Sequence, residues 1–356
     1  MMDGKRAVSE LREKVAKLDL EILERLEARA RLSKEIRARA EGDVSVDVGE
    51  AEWLSRLGAH ASGDLPSESV AAIFRGIRAE ARALEHPVKV AYVGPEGGFC
   101  HQTALGYFGA TTALHSTATV AEALDEVARS RAAFAVFPFE SSVDGLVQPS
   151  LTALAESDLV LVGERNLPAT YQLMAQVAST ADVERVYLTA IAHAACQRFL
   201  DQELPRATVI DVRSPAVAAE LAKEEKGSAA VLPESTGSAF GLTLLRENVG
   251  DVSDVRCRYG VAGSRPAMRS GNDVTCLLLG IDDSPGSLFA MLRHFAERGI
   301  NLKKLQSRPV QRESWDYVFY VEIGGHVTDR PVVTALEAIK RHTKYLKVLG
   351  SFPVSA

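Results

Sequence analysis

The chain has 356 residues, more than one ordinary domain needs, so two or three domains are expected. Apolar residues make up 46% and charged residues 25%, which is the balance of a globular protein with sizeable cores. The net charge of −6 and the lack of a basic stripe argue against nucleic-acid binding, and no apolar run of about eighteen residues predicts a membrane span. The four cysteines are scattered without a CxxC pair, which favours a reducing cytoplasm and argues against a disulfide framework or a structural zinc, and no metal is expected.

The first 86 residues predict an all-helical unit. Between Leu11 and Leu26, apolar side chains recur at steps of three and four, as on one face of a helix. Ser67 is a suitable N-cap for a later helix with its own apolar stripe. The predicted helices cover residues 9–40, about 50–57 and 67–85, with breaks at 42–49 and at 86–87.

From Val88 the pattern changes to strand-like segments that alternate with alanine-rich helices, which predicts an α/β unit. Residues 263–272 predict a linker. The remainder has the order βαββαβ, which is the ferredoxin-like plan. In the α/β unit the predicted strands cover 88–93, 133–137, 159–162, 183–188, 207–212 and 228–232, and the predicted helices lie near 101–108, 119–129, 192–201 and 215–225.

Two arginines of the first predicted helix suggest an anion site. Arg12 follows Leu11, and Arg29 comes three residues before Leu32. This spacing resembles the all-helical chorismate mutases, in which two such arginines bind the substrate's carboxylates, although spacing alone favours solvated charges on an amphipathic helix. Because seventeen helical residues span roughly 25 Å, one small ligand cannot touch both arginines of one copy. An antiparallel helical homodimer is therefore expected, and further pairing into a tetramer is left open.

The rest of the mutase pattern is less complete. By this resemblance, Ala40 stands at the position where the family has a lysine, and Arg39 lies beside it. The resemblance places acidic or amide positions at Glu50 and Glu85. These residues, with Arg12 and Arg29, form the predicted mutase site, and the missing lysine leaves its activity open.

Residues 94–102, GPEGGFCHQ, join a strand to a helix through a glycine loop whose backbone N–H groups suit an anion. This sequence resembles the motif GPEGTFSHQ of the prephenate dehydratases. Gly98 stands where threonine is usual and Cys100 where serine is usual, while Gln102 is kept. Gly98 and Gln102 are predicted substrate contacts.

Residues 135–147, AVFPFESSVDGLV, resemble the same family's PIENSxxGxV motif, with Glu140 as a predicted catalytic residue. Such a strand end places polar groups where α/β clefts bind ligands. The predicted substrate contacts of this stretch are Ser141, Ser142, Gly145 and Ser150.

The triplet Cys257-Arg258-Tyr259 resembles the family's Thr-Arg-Phe signature. The resemblance implies that Cys257 helps to protonate the departing hydroxyl and that Arg258 holds a carboxylate. A thiol is a weaker donor than a hydroxyl, so Cys257 is either a substituted acid or an inert buried thiol. Two further departures from the family are the stretch 188–191, where Ser-His-Pro-Gln is usual, and Tyr171, where histidine is usual.

The C-terminal segment resembles the ACT regulatory domain, whose effector motifs are usually GALx and ESRP. The matching residues suit an amino-acid ligand. Backbone N–H groups at the start of a helix can bind its carboxylate, and an amide side chain can bind its amine. The predicted effector-binding residues are Gly286, Ser287, Leu288, Asn301, Gln306, Ser307, Arg308 and Pro309.

Taken together, the motifs resemble the bifunctional chorismate mutase/prephenate dehydratases, in the domain order 1–86, 88–263 and 272–356. The implied fold is multidomain: an all-α unit, a two-lobed α/β unit like the periplasmic binding proteins, and an α+β ACT unit. The implied activity turns chorismate into prephenate and then phenylpyruvate without a cofactor, under feedback by L-phenylalanine. Two alternatives stay open: a catalytically impaired phenylalanine-binding regulator, and an altered prephenate-processing enzyme such as a decarboxylase.

Overall fold

The computed structural model describes residues 2–39, 50–60, 63–85, 88–143, 145–282, 284–309 and 317–354. The chain divides into a helical unit and a unit with two β-sheets. The helical unit comprises residues 1–44, 54–88 and 105–113, and the second unit comprises 45–53, 89–104 and 114–356. Ala40 and the predicted breaks at 42–49 and 86–87 lie outside the described residues.

The helical unit contains the three helices that the apolar periodicity predicts. They are α1 (Met2–Arg39), α2 (Glu50–His60) and α3 (Ser67–Glu85). Helix α1 packs along α3, and Ser33, Val70, Ala79 and Ala81 are buried. Its 38 residues make α1 roughly 57 Å long, far longer than the 19 residues of α3. Much of the apolar face of α1 is therefore exposed within this chain.

The first lobe of the second unit is built around parallel strands flanked by helices. Its elements are β1 (Lys89–Val93), α4 (Phe99–Phe108), β2 (Ala113–Thr117), α5 (Val120–Ala128), β3 (Phe134–Ser141), β4 (Gly145–Leu146), α6 (Gln148–Glu156) and β5 (Val160–Pro168). Strands β1 and β3 pair in parallel and are almost fully buried, as expected for strands covered on both faces.

The second lobe has its own sheet, in the order β10-β6-β9-β7-β8. Its elements are β6 (Gln172–Ala175), β7 (Arg185–Leu188), α7 (Ala190–Glu203), β8 (Thr208–Asp211), α8 (Pro215–Glu224), β9 (Ser228–Leu232), α9 (Glu234–Ala239) and β10 (Thr243–Arg246). Separate apolar clusters pack on its two faces.

The chain then returns to the first lobe through β11 (Arg256–Gly263), which lies antiparallel between β3 and β5. Two crossings between the sheets produce the predicted two-lobed arrangement. Residues 264–272 form the predicted irregular connection, and it is anchored because His326 Nε2 lies 3.2 Å from the Ala267 carbonyl oxygen.

The C-terminal segment has the predicted ferredoxin-like order. Its elements are β12 (Asp273–Ile281), α10 (Ser287–Ala296), β13 (Leu302–Pro309), β14 (Tyr317–Gly324), α11 (Arg330–Ile339) and β15 (Thr343–Pro353), with strand order β13-β14-β12-β15. The helices cover one face of this sheet through Leu277, Leu279, Val321 and Ile323. Strand β15 also pairs with β5 of the first lobe at Gly350 and Leu161, so the two sheets are continuous.

The fold class predicted from the sequence is confirmed: an all-α segment, a two-lobed α/β segment and a ferredoxin-like segment. Several elements were not predicted, namely β2, β4, β6, β10, β11, α6 and α9. The most consequential of these is β11, because it carries the Cys257-Arg258-Tyr259 triplet.

Candidate functional site

A groove of about 370 Å³ lies between α1 and α3 within the helical unit. That volume suits a small molecule. Its one cationic lining residue among the described residues is Arg29, whose Nη1 donates to the Ile77 carbonyl at 3.5 Å. The lining residues are Leu23, Leu26, Glu27, Arg29 and Ala30 of α1 and Gly76, Ile77, Glu80, Ala81 and Leu84 of α3. A half-buried guanidinium on a largely apolar wall can bind a carboxylate.

The other predicted mutase residues lie away from this groove or are not described. Arg12 is exposed on α1. The side chain of Arg39 is 81% exposed, and its Nη2 lies 3.4 Å from Oε2 of Glu35 one turn earlier. Glu50 begins α2 and Glu85 ends α3, but their side chains lie outside the described part.

In the first lobe, the glycine loop closes tightly before α4. The N–H of Gly98 donates to the Pro95 carbonyl at 3.0 Å, and a Cβ at Gly98 would lie 2.8 Å from that oxygen. The Gly97 carbonyl accepts from Gln102 Nε2 at 3.3 Å and from Thr236 Oγ1, in the second lobe, at 2.7 Å. Gln102 therefore holds the loop, and the N-terminus of α4 lies directly after it.

Beside this loop, aromatic and thiol groups gather from three parts of the chain. The rings of Phe99 and Tyr171 meet edge to face, with centroids 5.6 Å apart. Burial raises the pKa of Tyr259, and so do the Cys257 and Cys100 thiols and a hydrogen bond to Cys257. Burial, with the neighbouring Cys257, also raises the pKa of Cys100. Cys257 is half-buried, whereas the other three cysteines are buried, so it is the most accessible thiol of the chain.

The predicted serine contacts hydrogen-bond to backbone groups. Ser150 Oγ is buried and donates to the Pro138 carbonyl at 2.5 Å. Ser141 Oγ accepts from the Val143 N–H, and Ser142 Oγ accepts from the Arg256 N–H. Gly145 lies opposite Ser141 in β4, and its φ of +73° is a conformation that favours glycine. These residues shape the end of β3 and hold it against β11.

Arg258 and Glu140 lie in a buried cluster of charges. Arg258 Nη2 lies 3.1 Å from Glu140 Oε2, and Nη1 lies 3.3 Å from Glu164 Oε2. Arg258 also forms an ion pair with Glu322, and Lys304 forms one with Glu140. The predicted carboxylate ligand is thus surrounded by carboxylates of its own chain.

The predicted effector residues lie on two elements of the ferredoxin-like segment. Gly286 is the N-cap of α10 with φ +88°, followed by Ser287, whose Oγ lies 2.6 Å from Ser284 Oγ, and by Leu288, which packs on the core. Asn301 precedes β13 and its carbonyl accepts from the Gly324 N–H at 2.9 Å. In β13, Gln306 pairs with Tyr320, Ser307 with Phe319, Arg308 with Val318 and Pro309 with Tyr317. The side chains of Arg308 and Pro309 lie outside the described part.

The sequence did not single out several residues of these clusters as functional. In the sequence, Tyr171 stands out only as a departure from the family, and Tyr259 only as part of the triplet. Thr236, Lys304 and Glu322 carry no local signal, because their partners lie far away in the chain.

Comparison with known families gives a consistent answer along the whole chain. Residues 11–86 match the model of chorismate mutase type II, residues 90–267 that of prephenate dehydratase, and residues 277–341 that of the ACT domain. The bifunctional chorismate mutase/prephenate dehydratase of Aquifex aeolicus is 37% identical, over 97% of this chain and 98% of the relative. The chain belongs to the bifunctional chorismate mutase/prephenate dehydratase family.

Other members of this family and its fold extend the comparison. The bifunctional chorismate mutase/prephenate dehydratase of Pseudomonas aeruginosa is 33% identical over 96% of both chains. The crystal structure of a prephenate dehydratase from Arthrobacter aurescens in complex with L-Phe matches with a TM-score of 0.64 and 29% identity, over 75% of this chain and 90% of that one. A structure described as a novel type of quorum quenching acylase, GqqA, matches with a TM-score of 0.62 and 26% identity, over 75% and 98%. Fold alone does not decide function.

The groove between α1 and α3 lies within the chorismate mutase match, the glycine loop and the Cys257-Arg258-Tyr259 triplet lie within the prephenate dehydratase match, and the predicted effector residues lie within the ACT match. The limits of the predicted domains at 86/88 and 263/272 stay predictions. Within the described part of the chain, no helix has both the length and the apolar character needed to cross a membrane.

Proposed function

We propose that the chain converts chorismate to prephenate at the groove between α1 and α3, and prephenate to phenylpyruvate at the cleft beside α4. L-phenylalanine is the proposed effector of the ACT segment, and the scattered cysteines support a cytoplasmic location. The observation that carries this proposal is the convergence of Cys257, Cys100 and Tyr259 at the glycine loop, since it brings two of the three dehydratase motifs to one place.

The proposed mutase step needs no nucleophile, because it is an intramolecular rearrangement. Arg29 would hold one carboxylate of chorismate in the groove, and compact binding would favour the reacting geometry. Arg12, supplied by a second copy, would hold the other. Arg39, Glu50 and Glu85 are the remaining proposed contacts, and they would act on the ether oxygen and the hydroxyl.

The proposed homodimer is supported by the exposed apolar stripe of α1. Val8, Leu11, Val15, Leu18 and Ile22 are each at least half exposed within one chain. Their steps of three and four residues place them on one side of the helix, as in a helix–helix interface. A second copy of α1, running antiparallel, would bury this stripe and bring Arg12 to the groove of its partner.

In the proposed dehydratase step, the thiol of Cys257 gives its proton to the departing hydroxyl of prephenate. The carbon–oxygen bond breaks, the ring carboxylate leaves as carbon dioxide, and its bonding electrons complete the aromatic ring. Water, carbon dioxide and phenylpyruvate are the products, and Cys257 regains a proton from solvent. The N-terminus of α4, after Gly98, would bind a substrate carboxylate. Gln102, Ser141, Ser142, Gly145 and Ser150 would shape the cleft around it.

The direct test uses the purified full chain with chorismate or with prephenate, with and without L-phenylalanine. We expect prephenate from the first substrate, phenylpyruvate from the second, and a change in the second rate with phenylalanine. Calorimetric binding of phenylalanine without turnover of either substrate would support a phenylalanine-binding regulator instead. A non-aromatic decarboxylated product from prephenate would support an altered prephenate enzyme.

A further inference from the structure

Arg258 and Cys257 are neighbours in β11 but face opposite sides of the sheet. Successive side chains of a strand alternate between its two faces. Cys257 hydrogen-bonds with Tyr259, which shares its face, and both neighbour Cys100 at the cleft. Arg258 instead contacts Glu140, its cross-strand neighbour, and Glu164 of β5. The guanidinium is thus directed away from the face that carries the thiol.

The guanidinium is enclosed by groups of the ACT sheet. Its Nη2 lies 3.3 Å from the Tyr320 hydroxyl and forms an ion pair with Glu322, both in β14. The ring of Phe139 lies 5.1 Å from Arg258 Cζ and meets Tyr320 edge to face at 5.7 Å. The side chain of Arg258 is only 12% exposed. Strands β11 and β14, which are not neighbours in the continuous sheet, therefore meet around one arginine.

A second cation completes this contact. Lys304 of β13 lies directly opposite Glu322 in the ACT sheet and forms an ion pair with Glu140 of the first lobe. Three carboxylates, from Glu140, Glu164 and Glu322, thus share two cations. Removing one of the two cations from this buried set is costly, since it leaves buried carboxylates without a counter-charge.

The charges in this set stabilise one another. Burial alone would lower the pKa of Arg258, but the hydrogen bond with Glu322 and the surrounding acidic groups raise it, so the guanidinium stays charged. Burial likewise disfavours ionised Glu322, yet Arg258 lowers its pKa. The arrangement therefore holds Arg258 in place as a fixed cation.

The same contact reaches the predicted effector strand. Gln306 of β13 lies directly opposite Tyr320, so their side chains share a face of the sheet. The path is short. Gln306 adjoins Tyr320, and Tyr320 accepts a hydrogen bond from Arg258. Arg258 lies in the chain between Cys257 and Tyr259, the two residues of the triplet that face the cleft. A shift of β13 or β14 would move the partners of Arg258 and hence the backbone of Cys257.

We infer that Arg258 is a positioning residue that couples the ACT sheet to Cys257, rather than a ligand of a substrate carboxylate. This inference rests on the proposed dehydratase function for its kinetic consequence. Its geometric basis is the set of contacts with Glu140, Glu164, Tyr320 and Glu322. Effector binding at the ACT segment would then change the proposed reaction through this arginine.

The test alters the ACT side of the contact and leaves the cleft unchanged. Tyr320→Phe removes the hydroxyl that Arg258 contacts, and Glu322→Gln removes one of the three carboxylates. The matched control is Tyr187→Phe, because Tyr187 is also buried and its hydroxyl donates to Glu225 at 2.7 Å, but in the second lobe. All variants are made in the full chain, and urea unfolding reports that each is folded.

For both ACT-side variants we expect kcat to fall several-fold with KM for prephenate nearly unchanged. The phenylalanine concentration for half-maximal effect should shift by at least about fivefold, the range of typical coupling between sites. Arg258→Lys should restore part of kcat relative to Arg258→Met, because it keeps the charge. Unchanged kcat and unchanged phenylalanine response in both ACT-side variants would overturn the inference. So would a tenfold or greater rise of KM in Arg258→Lys, since that identifies a substrate ligand.

A second measurement does not depend on turnover. Iodoacetamide labelling of Cys257, followed by peptide mass spectrometry, should proceed at a different rate with bound phenylalanine in the wild type and in Tyr187→Phe. The difference should be lost in Tyr320→Phe and Glu322→Gln. If the wild type has no dehydratase activity, the proposed function fails while labelling still decides the coupling. A phenylalanine effect on labelling that persists in both ACT-side variants would refute the coupling.

Discussion

The hydroxyl of Thr236 donates a hydrogen bond to the carbonyl of Gly97, 2.7 Å away and 139 residues earlier in the chain. It joins α9 of the second lobe to the glycine loop of the first. The contact is tight: a Cβ at Gly97 would lie 3.0 Å from Thr236 Cγ2, and its φ of +77° favours glycine. The loop that precedes α4 is therefore held from across the cleft.

Thr236→Val should weaken this connection while keeping the shape of the side chain. The buried Gly97 carbonyl would lose one of its two donors, at a cost of about 1–3 kcal/mol. We expect a lower free energy of unfolding in urea and a higher KM for prephenate. Thr208→Val is the control, because Thr208 is exposed on the edge strand β8. Equal effects of the two substitutions would contradict the proposed contribution of the bond.

The sequence predicts elements with strong patterns better than it predicts elements defined by distant partners. Helix α3 has an apolar stripe, and its bounds, Ser67–Glu85, are those predicted. Strand β11 is central, yet its sequence RCRYGVAG includes two arginines and has no local signal of burial. Arg258 is buried only because acidic groups from β3, β5 and β14 surround it.

The same limit applies to the candidate site. Motif resemblance located the glycine loop and the triplet, and the structure brings Cys100, Cys257 and Tyr259 together. The motif resemblance could not predict the direction in which each side chain points. Strand alternation explains why Cys257 and Arg258, adjacent in the motif, have different surroundings. The resemblance also could not predict that Thr236 or Glu322 would be a partner, because neither belongs to a motif.

Gly350 allows β15 of the ACT segment to pair with β5 of the first lobe. A Cβ there would overlap the Leu161 carbonyl oxygen, so Gly350→Ala must push the two strands apart. We expect a loss of about 1–3 kcal/mol in unfolding free energy, as for other overpacked sites, and a weaker response of the dehydratase to phenylalanine. Gly58→Ala is the control, because nothing lies within 4 Å of a Cβ at that helical position. The Gly58→Ala substitution should leave the free energy of unfolding unchanged or raise it. Full phenylalanine response in Gly350→Ala would show that this strand pairing is not needed for regulation.

The ion pair of Glu322 with Arg258 should make stability depend on pH. Burial opposes ionisation of Glu322, but Arg258 lowers its pKa below the ordinary value of 4.5. A carboxyl whose pKa is lower in the folded state stabilises the protein above its unfolded pKa, and the contribution is lost as pH falls below that value. Glu322→Gln should therefore be less stable than the wild type at pH 7, with a difference that narrows as the pH falls below about 4.5. Urea unfolding at a series of pH values measures this difference in stability. A difference that is constant with pH would show that it does not come from the ionised Glu322 carboxylate.

Cys257 should be required for the proposed dehydratase step as a proton donor. Cys257→Ala should lower kcat for prephenate by about 10²–10⁴, the usual contribution of a positioned acid. Cys257→Thr should keep or raise the rate, because a hydroxyl is the stronger hydrogen-bond donor. Cys196→Ala is the control, since Cys196 is a fully buried thiol in the core of the second lobe. An unchanged rate in Cys257→Ala would remove this thiol from the mechanism.

The separation of Arg12 and Arg29 along α1 predicts complementation between inactive chains. Each single variant, Arg12→Ala or Arg29→Ala, should lose most mutase activity, because neither dimer site keeps both arginines. When the two variants are unfolded together and refolded, half of the dimers combine one chain of each kind. In such a dimer one site contains both arginines and the other contains neither. Mutase activity should therefore return to about one quarter of the wild-type value, as two-fold symmetry requires.

Dehydratase turnover of the same samples serves as the control, because it does not involve these arginines. Analytical ultracentrifugation of the wild type should give the mass of at least two chains. If mixing restores no mutase activity while dehydratase turnover and the dimer mass are normal, both arginines cannot serve one ligand across the interface. Arg12 would then be a solvated charge on the exposed face of α1, and the groove around Arg29 would have to bind its ligand alone.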